Sequence, residues 1–139
     1  RVRGLPFAGY DANPHTPFLS RMFLPEGDEA CGVADLTEEL SVPEPFDLVV
    51  CKDVFPYIPD ECEASAIRNL VRLSSRFILL SWSVTPSVPP RRNIDEDALL
   101  EAFADEGFTI EPYMTARLHV VLKRKDCCLL IRVGKSILL

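Results

Sequence analysis

The sequence predicts an α/β fold built on a mainly parallel sheet, and three observations predict it. Short apolar runs alternate with segments of helical period, at a spacing suited to βα units. The run "RFILLSW" from Arg76 is rich in the large apolar residues of a strand buried on both faces. Three successive apolar runs also end in charge, at Asp11, Asp35 and Lys52-Asp53. In an open parallel sheet the ligand crevice lies beyond the carboxyl ends of the strands, where backbone turns into loop and meets water or a polar ligand. One polar strand ending means nothing. Three in register, two of them followed by aromatic or proline turns, form a pattern.

The elements follow in order. Leu5 to Tyr10 reads as a strand that ends at Asp11 and is broken by Asn13-Pro14. Phe18, Leu19, Met22 and Phe23 space a short helix over 16–23. Pro25-Glu26-Gly27-Asp28 is turn chemistry, and "ACGVADL" from Ala30 is a second strand ending at Asp35. Pro43 and Pro45 bracket a loop before a third strand, Phe46 to Cys51. Ala64, Ile67, Leu70, Val71 and Leu73 keep a helical period over 61–73, with Pro59-Asp60 at its start. A strand over 76–84 comes next. The segment 83–93 holds Pro86, Pro89, Pro90 and two arginines, a composition that reads as a loop over the carboxyl edge of the sheet. Ile94-Asp95 opens a helix through Ala104, with Gly107 placed as its C-cap, and Phe108 to Ile110 begins another strand. Met114, Leu118, Val121 and Leu122 favour a helix, against a competing alternation Met114, Ala116, Leu118, Val120. Cys127 to Val133 reads as a closing strand.

Composition bounds the function. A length of 139 residues, 47% apolar and 26% charged, suits one globular domain over 1–139. A formal net charge of -6 argues against an extensive nucleic-acid surface, and Lys123-Arg124-Lys125 reads as a solvated loop. No apolar run approaches the length of a membrane span, and no signal-peptide pattern stands at the start. The cysteines Cys31, Cys51, Cys62, Cys127 and Cys128 are odd in number and lack CxxC spacing. They point to free thiols in a reducing, cytoplasmic compartment and to no metal site. The first residue is Arg rather than Met, as in a fragment or a processed product.

The motifs taken together resemble the class I S-adenosylmethionine-dependent methyltransferases, in particular the small-molecule branch. In that family the second strand ends in an acid, as in "AGYDAN", and the third in an acid-plus-apolar pair, as in "GVADL". The fourth follows the pattern FDLVxxxxVLxHIPD, close to "FDLVVCKDVFPYIPDE" here. The order continues through a helix, "RFILLSW", a substrate-loop region, a helix with "EGFTI" and a closing strand, so the resemblance covers nearly the whole chain from Leu5. It implies a Rossmann-like three-layer sandwich with an antiparallel last strand, S-adenosylmethionine as cofactor and methyl transfer to a small or medium-sized acceptor.

Carried over to this chain, the resemblance implies that Asp11, with Ala12 beside it, accepts hydrogen bonds from the ribose hydroxyls. It implies that Asp35 accepts from the adenine amino group, while the backbone of Leu36 meets the ring edge. Cys51 and Lys52 lie under the methionine portion, with Val54 and Phe55 packing on the cofactor. Tyr57, Trp82 and Arg91 face the acceptor, and the Pro-rich segment 84–92 is the substrate lid. Tyr57 stands where many relatives carry His; a phenol of pKa near 10 is a poor base at neutral pH, so no catalytic base is assigned. The residues have plainer readings as well: Asp11 as an Asx-turn residue, Asp35 as a helix cap, Lys52 as a solvated side chain, and Phe55, Tyr57 and Trp82 as anchors to the core.

The family's first strand and its Gly-rich turn, of the ExGxGxG kind, belong before Arg1. That strand lies centrally, between the second and the fourth, so the N-terminal part of the fold is expected to be missing. Each backbone group left buried and unpaired at such a gap costs about 1–3 kcal/mol. The chain by itself is therefore not expected to be a competent enzyme. A preceding segment or a neighbouring subunit completes the sheet, or the domain is a non-catalytic subunit or scaffold in a larger assembly. An Asn/Asp-Pro-Pro-Tyr signature is absent at the fourth strand, which disfavours methylation of DNA bases. A phosphoacceptor receiver domain shares the flavour of "DLVVCKDVFPYIP" but requires paired acids after an early strand, which this chain lacks.

Overall fold

A computed structural model describes residues 8–16, 18, 31–40, 42–82, 92–110 and 119–124. Six strands are described. β1 is Gly9–Asp11, β2 Cys31–Val33, β3 Phe46–Lys52, β4 Ser74–Ser81, β5 Phe108–Ile110 and β6 His119–Arg124. Two helices accompany them, α1 over Glu63–Leu73 and α2 over Glu96–Asp105.

β1 and β2 pair in parallel, Asp11 opposite Val33. The other four form a sheet in the order β3-β4-β6-β5. β3 runs parallel to β4, whereas β6 is antiparallel to both β4 and β5. Among the described residues no strand joins β1 to β3, so the sheet has a break at that point. On β3 the alternation is plain. Val49 and Cys51 face the core, opposite Ile78 and Leu80 of β4, while Leu48 and Val50 on the other face are exposed.

The core lies under the face that carries Cys51, Ile78 and Leu80. Ala66, Ile67, Leu70 and Leu73 of α1, spaced at i, i+1, i+4 and i+7, supply one apolar stripe. Leu99 and Phe103 of α2 supply another, four residues apart. Phe55 and Phe103 meet edge to face, ring centroids 6.2 Å apart. α2 is capped by Asp95, whose Oδ1 accepts from the Ala98 amide at 3.2 Å, and Glu96 and Asp97 add charge favourable to its N-terminus.

Two expectations need correction. The helix favoured over 114–122 does not extend through its second half: His119–Arg124 is strand β6, and 114–118 lie outside the described residues. The segment carried both periods, and pairing on two sides, with β4 and β5, outweighs local preference. Lys123 and Arg124 accordingly belong to a strand rather than a loop. The expected helix over 16–23, the closing strand over 127–133 and the lid over 84–92 fall largely or wholly outside the described residues, Arg92 being the one described residue of the lid.

Gly107 ends α2 at φ 90°, its amide donating to Ala104 O at 3.1 Å. A Cβ at this position meets nothing within 4 Å, so a side chain would cost only backbone energy. Gly107→Ala should therefore lower stability by about 1–2 kcal/mol in denaturant unfolding. No loss would mean that the left-handed turn is not held.

Candidate functional site

The carboxyl ends of β1 and β2 lie side by side. Ala34 N donates to Asp11 O at 3.2 Å, carrying the parallel ladder one step past the strand tips. Asp11 and Asp35 thus stand on adjacent loops at one edge of the sheet, and both are exposed. Each carboxylate shapes its own loop with one oxygen. Asp11 Oδ1 accepts from Asn13 N at 2.8 Å, an Asx turn. Asp35 Oδ1 accepts from both Thr37 N and Thr37 Oγ1 at 2.8 Å. Among the described residues the Oδ2 atom of each has no protein partner, which leaves a carboxylate oxygen at each tip to take a ligand's donor.

β3 ends in a sharp turn. Asp53 adopts φ 55°, in the left-handed region, and its amide donates to Ser81 O at 2.8 Å. A short polar side chain tolerates this conformation better than most. The chain then makes a 3-10 turn over Phe55–Tyr57, closed by Ile58 N donating to Phe55 O at 3.1 Å. Phe55 and Ile58 are buried and anchor the turn from below, while Lys52 and Tyr57 remain exposed above it. Arg92 straps the turn to α1. Its amide donates to Pro56 O at 2.9 Å, and its guanidinium pairs with Asp60 at 2.7 Å and with Glu63.

The sequence-derived residues fall into two groups, exposed and buried. Asp11, Ala12, Asp35, Lys52 and Tyr57 present exposed groups. Leu36 packs partly against the core, and Cys51, Phe55 and Trp82 lie within it. The Cys51 thiol and the rings of Phe55 and Trp82 are buried rather than presented at the surface. Arg91 falls outside the described residues. Arg92, expected in the lid over 84–92, is instead committed to Asp60, Glu63 and Pro56. Asn69 has no role in the sequence reading, although it is a polar residue beside Ala66, Leu70 and Leu73 on the buried stripe of α1. Its Nδ2 donates to Leu36 O at 2.7 Å and to Glu38 O at 2.5 Å. No group of three or more metal-ligating side chains occurs among the described residues.

The fold can be placed among solved structures. Magnesium protoporphyrin IX methyltransferase from Synechocystis PCC 6803, solved with SAH bound, superposes with a TM-score of 0.66 at 19% identity, over 88% of this chain and 65% of that one. A TehB-like SAM-dependent methyltransferase from Corynebacterium glutamicum gives 0.64 at 20%, over 85% of this chain and 67% of that one. An S-adenosylmethionine-dependent methyltransferase from Mesorhizobium loti gives 0.65 at 18%, over 87% and 82%. The fold is that of the class I S-adenosylmethionine-dependent methyltransferases. The chain spans 65% of the length of the Synechocystis enzyme. No protein-family model and no curated protein matches the sequence. The break between β1 and β3 falls where the methyltransferase fold carries its first strand, and the antiparallel β6 agrees with the expected architecture.

Burial pushes the Cys51 thiol up to about 12 from its ordinary value of 9.0. The folded chain keeps this proton where the unfolded chain has lost it. Its contribution to stability is thus complete below about pH 9 and declines as pH rises towards 12, by at most about 1.4 kcal/mol per pH unit. Cys51→Ala, compared with wild type by denaturant titration from about pH 8 to about pH 10, should show the shallower decline. Equal slopes would contradict the burial.

Proposed function

We propose that the chain binds S-adenosylmethionine across the carboxyl ends of β1, β2 and β3 and serves methyl transfer to a small or medium-sized acceptor. The observation that carries this reading is the pair of exposed carboxylates, Asp11 and Asp35, on the tips of adjacent parallel strands in a methyltransferase fold. Several neighbours in that fold are named as S-adenosylmethionine-dependent enzymes, and two were solved with SAH or SAM bound.

The residues present suit the cofactor chemically. Asp11 offers a carboxylate to two neighbouring ribose hydroxyls, with Ala12 beside it. Asp35 offers its unengaged oxygen to an exocyclic amino group, and Leu36 lines the base. Lys52 and the backbone of Cys51 adjoin the amino-acid portion, where Phe55 steadies the turn. Tyr57, Trp82 and Arg91 are the acceptor-side residues, with a phenol and a guanidinium as the polar groups. The bound cofactor supplies an activated sulfonium methyl, and the protein's task is in-line positioning and exclusion of water.

A parallel strand between β1 and β3 belongs to the same reading. It would pair both inner strand edges; the exposed Leu48 and Val50 point out of the sheet plane, on the face away from the core. The added strand can come from a preceding segment or from a partner chain. The second reading is a non-catalytic methyltransferase-like subunit docked in an assembly, and cofactor binding separates it from the first. Cytoplasmic residence fits the free thiols Cys51 and Cys62. No helix among the described residues is long and apolar enough to cross a membrane.

Isothermal titration of the folded, full-length protein with S-adenosylhomocysteine should give saturable binding; absence of heat would remove the enzyme reading and leave the scaffold. Asp11→Ala should weaken that binding by roughly 1.5–3 kcal/mol, the worth of hydrogen bonds to a charged group. An unchanged affinity would show that Asp11 does not hold the ribose.

A further inference from the structure

Resting on the methyltransferase reading above, we propose that Asn69 is a positioning residue that aims Asp35 at the 6-amino group of the cofactor's base and so sets selectivity for adenine. The geometry is a relay through one peptide group. The carbonyl of Leu36 accepts from Asn69 Nδ2 at 2.7 Å, and the amide on the other side of the same peptide, Thr37 N, donates to Asp35 Oδ1 at 2.8 Å. The Leu36–Thr37 peptide plane is therefore held at both ends, and the carboxylate of Asp35 takes its orientation from that plane. Thr37 Oγ1 adds a second donor to the same oxygen, and Glu38 N donates to Asp35 O at 3.1 Å. Asn69 then takes Glu38 O with its other amide hydrogen, so that both of its donors are committed to this one loop.

Asn69 is suited to the part because it does not move with the loop. It sits on α1, only 5% exposed, next to Leu70 and one turn from Leu73, which are themselves buried. The loop's other tether to α1, Arg72 to Glu39 at 3.3 Å, joins two largely exposed side chains and holds position weakly. A carboxylate oxygen accepts from an amino group and repels a carbonyl oxygen. Fixing Asp35 therefore favours a 6-amino purine over a 6-oxo purine, whereas a loosened Asp35 rotates away from either.

The test measures affinity for S-adenosylhomocysteine and S-inosylhomocysteine on full-length protein. Wild type should prefer the adenosyl compound by about tenfold or more, since a site built for a hydrogen bond rejects the analogue that lacks it. Asn69→Ser should bring the ratio of the two affinities close to one. Arg72→Ala, which frees the same loop at its rim, should leave the ratio as in wild type. A wild-type protein that binds neither compound overturns the cofactor reading and this inference together. Wild type that binds both equally overturns the contact of Asp35 with the 6-amino group and with it this inference, whereas Asn69→Ser with an unchanged ratio overturns only the role of Asn69. Where Asn69→Ser does not fold, the wild-type protein decides: the Asn69 side-chain amide resonances should shift on saturation with S-adenosylhomocysteine, and unmoved resonances overturn the inference.

Discussion

A buried amide, that of Asn69, ties the loop after β2 to the helix packed on the four-stranded sheet. β1 and β2 pair only with each other among the described residues, and the four-stranded sheet begins at β3. What joins them is the loop after β2, held on α1 by Asn69 and packed against the core through Leu36. Such a contact is asymmetric in energy. Each hydrogen bond adds about 1 kcal/mol when made, but a buried carbonyl or amide left without its partner costs about 1–3 kcal/mol. The loop is thus confined to the one placement that satisfies Asn69. The placement of the loop after β2 relative to α1 follows from it.

The turn after β3 is built by the same logic from the opposite direction. Its conformation is unfavourable in isolation, with Asp53 in the left-handed region. It persists because everything around it is committed: Asp53 N to Ser81 O, Phe55 to Phe103 in the core, and Pro56 O to the Arg92 amide. Rigid, buried anchoring below leaves Lys52 and Tyr57 exposed above, at the edge where the strand charges gather. Residues that resemble ligand contacts in the sequence can therefore be buried anchors of the turn.

Much of this was legible from the chain alone. β3, α1 and β4 are dense in apolar residues whose period matches their element, and Asp11, Asp35 and Lys52-Asp53 mark the strand tips without ambiguity. Other features depend on long-range pairing, which a local pattern does not carry. Val120 to Leu122 fits either period, and only the partners on both sides, Leu79 and Leu80 of β4 and Ile110 of β5, decide for a strand. Phe55 and Trp82 are apolar rings beside a predicted crevice, and the side they turn to depends on α2 packing beneath them. Asn69 was visible as a polar residue on an apolar stripe, but its partners lie 33 and 31 residues away.

The plain and the functional readings of the two acids turn out not to compete. A carboxylate has two oxygens and about four acceptor positions. At Asp11 and at Asp35 the loop takes Oδ1. That use costs the ligand little, because a ligand approaching from solvent needs the outward oxygen. It also restricts rotation of the side chain before any ligand arrives, so less ordering entropy is lost on binding. An Asx turn at a strand tip is in this setting a device for presenting a charge. The same turn on an isolated strand would only shape the loop; two on adjacent parallel strands hold two acceptors at one edge of the sheet.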